Sequence, residues 1–261
     1  MAENMTFWDH LDELKKYIVR IIVVALVFTL VAFLLKEPLF DLILAPQSSN
    51  FPTYRLLQKL RLMSADSHFS VNLINTGLAS QFLVHMRVAL WTGVVAAMPY
   101  IIYSLFRFVA PALYDHERRH ASRFVLGGYF MFVVGCLLCY FVIFPFTFRF
   151  LGTYQVSDTV DNMINLSSYI STMLSMVLVM GVVFEIPMLC LLLARVGVLG
   201  SAPMKEYRKH AVVLILIAAA VITPTGDPFT LSLVALPMWG LYELGIKMVE
   251  RVEKRKKKAV E

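Results

Sequence analysis

The sequence predicts an all-α integral membrane protein with six transmembrane helices and both termini in the cytoplasm. Two observations carry the class: 59% of the 261 residues are hydrophobic and only 16% are charged, whereas an ordinary soluble domain is nearer 25% charged, and the apolar residues fall into runs of membrane-spanning length. A third, the alternation of basic and non-basic loops, gives the orientation.

The first span is expected from about Ile18 to Leu35 and the second from about Leu83 to Tyr103. A third runs from about Phe124 to Phe144, and a fourth from about Ser171 to Leu193. The fifth, Ala211 to Thr223, reaches only roughly 20 Å at 1.5 Å per residue, short of a hydrocarbon core of about 30 Å, so it needs thinned lipid or neighbours to lean on. The sixth, from about Phe229 to Val249, follows after Pro224-Thr225-Gly226-Asp227-Pro228 as a tight helical hairpin.

Lys15, Lys16 and Arg20 precede or begin the first span, Arg118, Arg119 and Arg123 follow the second, and Lys205, Arg208 and Lys209 follow the fourth. These loops and the basic tail are expected inside. The loop after the third span has only Arg149, and the loop after the fifth has no Lys or Arg. The stretch with Lys36, Arg55, Lys59 and Arg61 is the exception, but long loops obey the rule weakly. The expected organisation is one membrane domain over 1–261, with a cytoplasmic amphipathic N-terminus (1–17), an external cap loop (36–80) and a basic cytoplasmic tail (250–261). Phe7, Leu11, Leu14 and Ile18 recur at helical spacing in that N-terminus, and Thr6 with Asp9 fits a capping pattern. In the cap loop, Phe40, Leu42, Leu44, Phe51, Leu56, Leu57, Leu60 and Met63 can pack together.

Other classes fit poorly. Cys136, Cys139 and Cys190 all lie in apolar stretches, so no disulfide framework or redox chemistry is expected. The net charge of +6 sits in short clusters between apolar runs and from Lys254 to Lys258, which points to membrane orientation and not to nucleic acid. Asp9, Asp12 and Glu13 before the first apolar run argue against a cleaved secretory leader. No GxxxxGK[ST] motif is present, so ATP is not the obvious energy source; no cofactor or bound metal is expected, and no transporter-type internal repeat is evident.

Glu185, near the middle of the fourth span, is the most unusual residue. A carboxylate there is costly and is read as functional by default, the bland alternative being a protonated Glu bonded to a neighbouring helix. Pro187 removes one helical hydrogen bond and leaves the Val183 carbonyl without its usual donor. Arg87, near the start of the second span, can snorkel to the external interface. His116-Glu117-Arg118-Arg119-His120 matches the HExxH zinc pattern, although two cations between the histidines oppose Zn²⁺ and no third ligand of the usual kind follows nearby. In a helical reading of the same segment, Asp115 pairs with Arg118 or Arg119 and leaves Glu117 for a partner. Asp12 can likewise pair with Lys15 or Lys16, and Glu13 can reach Lys16. Two ordinary solvated carboxylates remain the competing reading.

These residues resemble the TatC family, the multi-spanning subunit of the twin-arginine protein translocase. The resemblance runs from about His10 to Val249 and is carried by His10-Leu11-Asp12-Glu13-Leu14, by Phe108-Val109-Ala110-Pro111-Ala112-Leu113-Tyr114-Asp115-His116-Glu117-Arg118-Arg119, by Phe184-Glu185-Ile186-Pro187 and by Thr223-Pro224-Thr225-Gly226-Asp227-Pro228. It makes the HExxH match look accidental. It implies a non-enzymatic receptor and scaffold in the bacterial inner membrane, a glove-shaped concave bundle with short fifth and sixth spans. Glu13 and Glu117 match the carboxylates of a cytoplasmic signal-peptide site, with Leu14, Phe108 and Leu113 around them. Glu185 matches a buried Glu of the concave face, Pro46 a proline of the first external loop, and Asp227 an acidic residue of the last one. The implied partners are twin-arginine signal peptides of folded precursors, single-span TatA and TatB-type subunits, membrane lipid and further copies of the chain, with export driven by the proton gradient. Lys15 and Tyr17 stand where the family usually has arginines, and the first external loop looks longer than usual.

Two other functions compete with the receptor. A proton-coupled small-solute carrier would use Glu185 as its titrating group, and a membrane zinc metallopeptidase would use His116, Glu117 and His120.

Overall fold

The computed structural model describes residues 7–60, 72–109, 121–155, 157, 162–223 and 226–260. Among them the chain forms α1 (Phe7–Leu34), α2 (Lys36–Leu44), α3 (Pro52–Lys59), α4 (Ser80–Val109), α5 (Ala121–Leu138), α6 (Phe144–Thr153), α7 (Leu166–Val183), α8 (Ile186–Val196), α9 (Ser201–Glu206), α10 (Arg208–Ile222) and α11 (Pro228–Val260). Among the described residues, five segments are long and apolar enough to cross a membrane: Leu11–Leu34, Ser80–Phe108, Phe124–Thr153, Leu166–Val196 and Pro228–Lys256. The expected fifth span is α10, whose 15 residues reach roughly 22 Å at 1.5 Å each. The sixth span lies in α11, a helix of 33 residues, because the basic end continues the helix beyond the apolar run instead of leaving it.

Two breaks shape the bundle, and a proline lies behind each. Pro187 has no N–H to offer the Val183 carbonyl, and the helix divides there into α7 and α8. The Phe184 N–H still reaches the Met180 carbonyl, but the Glu185 N–H bonds to the Val182 carbonyl, three residues back. In the third span Pro145 orphans the Phe141 carbonyl in the same way. The helix widens into a π turn over Cys139–Ile143, and the Thr53 hydroxyl donates to the Phe141 carbonyl. The third membrane segment therefore runs well past the expected Phe144.

That repair ties the first connecting loop to the bundle. Tyr54, 2% exposed, donates to the Pro145 carbonyl at 3.0 Å and to the Pro46 carbonyl at 3.3 Å. Burial pushes its hydroxyl pKa above the usual range, and the nearby Arg149 only partly offsets this, so the group stays a donor. Tyr140 donates to the Leu42 carbonyl at 2.7 Å and Tyr169 to the Ile43 carbonyl at 3.0 Å. Of the loop's apolar residues expected to pack together, only some are turned inward. Ile43, Phe51 and Tyr54 are buried, while Leu42, Leu56 and Leu60 are exposed; Met63 lies outside the described residues. A two-residue parallel pairing, Leu73–Ile74 with Ile164–Asn165, joins this loop to the one after α6, too short for a sequence period to reveal.

The core centres on α7, where Met173, Met176 and Met180 are buried against Val84, Val88, Cys139, Ile143 and Phe144. Lipid is as apolar as these side chains, so close packing and satisfied polar groups, more than burial from water, hold the helices together. At the other end a polar ladder clamps α8–α10 onto α11. Arg208 pairs with Glu243 at 2.8 Å and Lys205 with Glu250. The Glu253 carboxylate accepts from the Ser201 N–H at 2.8 Å and from its hydroxyl, and Lys256 donates to the Ala194 and Arg195 carbonyls at the C-terminus of α8, where a cation is favourable.

Candidate functional site

α1 packs along α4 in antiparallel register. Phe33 stacks on His85 at one end, with ring centroids 4.2 Å apart, and Tyr17 meets Phe108 edge-on at 6.4 Å at the other. The helices nearly touch between these pairs, because a Cβ at Gly93 would lie 2.6 Å from the Thr29 backbone nitrogen and 2.7 Å from its Cα. A small residue at such a crossing lets backbones approach. The sequence contains this glycine, but nothing in its spacing announces the role.

The register brings three of the expected residues to one end of the pair. Glu13 and Leu14 are half-buried on α1, and Tyr17, one turn from Glu13, contacts Phe108 near the end of α4. The expected pairing of Asp12 and Glu13 with Lys15 or Lys16 is not made: neither carboxylate has a hydrogen bond or ion pair among the described residues. Asp12 and Lys16 stand at i,i+4 spacing, yet an exposed pair gains too little to hold two side chains together. Glu117 and Leu113 lie outside the described residues, as do His116 and His120. Among the described residues no three His, Cys, Asp or Glu side chains cluster as metal ligands.

Glu185 forms a second centre. It sits at the α7–α8 break and lines an apolar cavity of about 280 Å³ with Met98, Ile102, Phe106, Phe124 and Gly128. Its Oε1 is buried without a hydrogen-bond partner among the described residues, so the alternative of a Glu bonded to a neighbouring helix is not what is seen. A Cβ at Gly128 would lie 3.0 Å from Oε2, so α5 leaves room for this carboxylate by carrying a glycine. Arg87 is exposed.

Pro46 and Asp227 belong to neither centre. Pro46 is buried in a 3₁₀ turn over Ala45–Gln47, where its carbonyl receives Tyr54. Asp227 caps α11: its side chain accepts from the Thr230 N–H at 2.8 Å and its carbonyl from the Leu231 N–H at 2.9 Å, the N-cap role for which Asp is suited. Gly226, at φ 56°, immediately precedes it.

The model of the family described as Sec-independent protein translocase protein (TatC) matches residues 9–237. The chain belongs to the TatC family. It is 34% identical over 261 residues to the Sec-independent protein translocase protein TatC of Blattabacterium sp. subsp. Periplaneta americana, covering 97% of this chain and 98% of that one. The Deinococcus radiodurans protein of the same name is 35% identical over 239 residues, covering 92% and 83%. The crystal structure of a twin-arginine translocase receptor, TatC, matches with a TM-score of 0.76 at 27% identity, covering 94% of this chain and 99% of that one. The helical membrane architecture is thus that of TatC.

Proposed function

We propose that this TatC protein is the receptor and scaffold subunit of a twin-arginine translocase in the bacterial inner membrane, with no enzymatic activity of its own. In this reading it binds twin-arginine signal peptides through Glu13 and Glu117, flanked by Leu14, Phe108 and Leu113, and it works with single-span TatA and TatB-type subunits to export folded proteins on the proton gradient. The observation that carries it is the likeness to the solved receptor over 94% of the chain. Glu13, which has no hydrogen bond or ion pair among the described residues and lies beside the Tyr17–Phe108 contact, supports it, since a guanidinium needs an available carboxylate. The test is site-specific crosslinking from the Glu13 and Glu117 positions to a twin-arginine precursor; a twin-lysine precursor that crosslinks equally well would overturn the recognition role.

The proposed topology puts the N-terminus, the α8–α9 turn and the end of α11 in the cytoplasm. Single cysteines at the exposed Ala202, next to Ser201, and beyond Lys256 are expected to label from the cytoplasmic side only, and those at Ser157 and Thr225 from the external side only. External labelling at Ala202 would reverse the orientation.

Glu185 has a supporting role in this reading. Glu185→Ala is expected to weaken transport more than Glu185→Gln, because the amide keeps the size and hydrogen-bonding capacity while removing the titratable proton. Transport assays at matched protein levels check this. Equal and complete loss in both variants would point to obligatory proton transfer, the carrier-like role.

A further inference from the structure

A second pocket, of about 450 Å³, opens where α1 gives way to α2 and α4 begins, and Lys36, Gln81 and His85 line it together with Phe40, Phe82 and Leu166. His85 is held against α1 by the stack on Phe33, with Nε2 3.1 Å from the Phe33 carbonyl oxygen, and Phe40 meets the same imidazole edge-on at 5.9 Å. Lys36 and Gln81 have no hydrogen-bond or ion-pair partner among the described residues. The acidic groups on the same helix, Glu37 and Asp41, do not line the pocket, and no side chain caps the start of α2 beside Lys36.

The pocket's polar lining residues sit at the ends of apolar spans. Lys36 is two residues beyond the apolar span Leu11–Leu34, and Gln81 is the second residue of the span Ser80–Phe108. Leu34, Leu35 and Phe82 are exposed next to it, at 82%, 51% and 59%. A cation and an amide donor at headgroup depth, with bare apolar surface leading into the hydrocarbon, match a ligand that is anionic at one end and apolar along the rest.

We propose that this pocket binds the phosphodiester headgroup of an anionic phospholipid from the leaflet at the C-terminal end of α1. The Lys36 ammonium and the Gln81 amide donate to the phosphate oxygens, Phe40 and His85 wall the glycerol, and the acyl chains lie along Leu34, Leu35 and Phe82. The site is independent of signal-peptide recognition, which lies at the opposite end of the α1–α4 pair.

Native mass spectrometry of the delipidated full-length chain, titrated with dioleoyl-phosphatidylglycerol, tests it. The wild type should bind phosphatidylglycerol in preference to dioleoyl-phosphatidylcholine, and Lys36→Gln with Gln81→Leu should weaken that binding by about tenfold, the worth of one charge-assisted hydrogen bond. Lys36→Arg should retain it. Lys59→Gln, which removes an exposed cation of α3 outside the pocket, should leave it unchanged. Equal phosphatidylglycerol affinity in the double variant and the wild type overturns the proposal, as does an equal loss in Lys59→Gln. If excess inorganic phosphate displaces the lipid completely, the pocket reads a free anion and the lipid assignment is wrong.

Discussion

Glu117→Gln is expected to weaken binding of a twin-arginine precursor by about tenfold or more, a loss of about 1.4 kcal/mol, and Glu13→Gln to act in the same direction. Arginine presents a planar fork that meets a carboxylate with two parallel hydrogen bonds, whereas lysine offers a point charge. Such charge-assisted bonds contribute about 1.5–3 kcal/mol each when shielded, but an exposed pair contributes only about 0–1 kcal/mol. Selectivity therefore requires partial shielding, and the half-buried Glu13 meets that condition. Glu117→Asp should be milder, since it keeps the charge and shortens the reach. Raising salt should weaken wild-type binding more than variant binding, because one screened attraction is already gone in the variant. Binding of twin-arginine and twin-lysine precursors to the purified protein is the measurement. If both Gln variants bind like wild type, or the wild type fails to prefer arginine, the recognition assignment is wrong while the family stands.

Gly93→Ala should destabilise the protein by about 1–3 kcal/mol, the usual range for forcing extra volume into a packed site. The sign is diagnostic. In an unobstructed helix the same change stabilises by about 0.8–1 kcal/mol, so a net loss isolates the clash with α1. The atoms in the way are Thr29 Oγ1 and, behind it, Thr29 backbone atoms 2.6 and 2.7 Å from the new Cβ, and a backbone cannot rotate aside as a side chain can. Gly240→Ala on α11, where a Cβ meets nothing within 4 Å, is the matched control and should be neutral or stabilising. Thermal unfolding of the three proteins in one detergent compares them. Because the α1–α4 register brings Tyr17 to Phe108, Gly93→Ala should also lower precursor binding although it lies far from Glu13. Unchanged stability in Gly93→Ala would mean that the two helices are not held at this crossing.

Glu185 and Pro187 show how far a membrane sequence can be read locally. Loss of an N–H at Pro187 is a property of the residue itself, and the break it causes lies where the sequence places it. The Pro145 break follows the same rule, but its consequence is not local: the Phe141 carbonyl it frees is taken by Thr53, 88 residues away. The cap loop's apolar residues were visible as a set. Which of them face inward was not, because α3 is only 8 residues long, too short for its periodicity to decide.

Legible in the residues alone were the membrane class, the approximate spans, the Pro187 break and the family, since each rests on composition, on a run of adjacent residues or on a local motif. Only the tertiary structure decided the partners across space: Gly93 against Thr29, Gly128 against Glu185, Tyr54 between two proline carbonyls, and Lys256 over the end of α8. The reason is physical. In lipid, apolar side chains on every face of a helix are equally at home, so hydropathy marks where a helix crosses, while close approach and unsatisfied polar groups choose which face meets which neighbour.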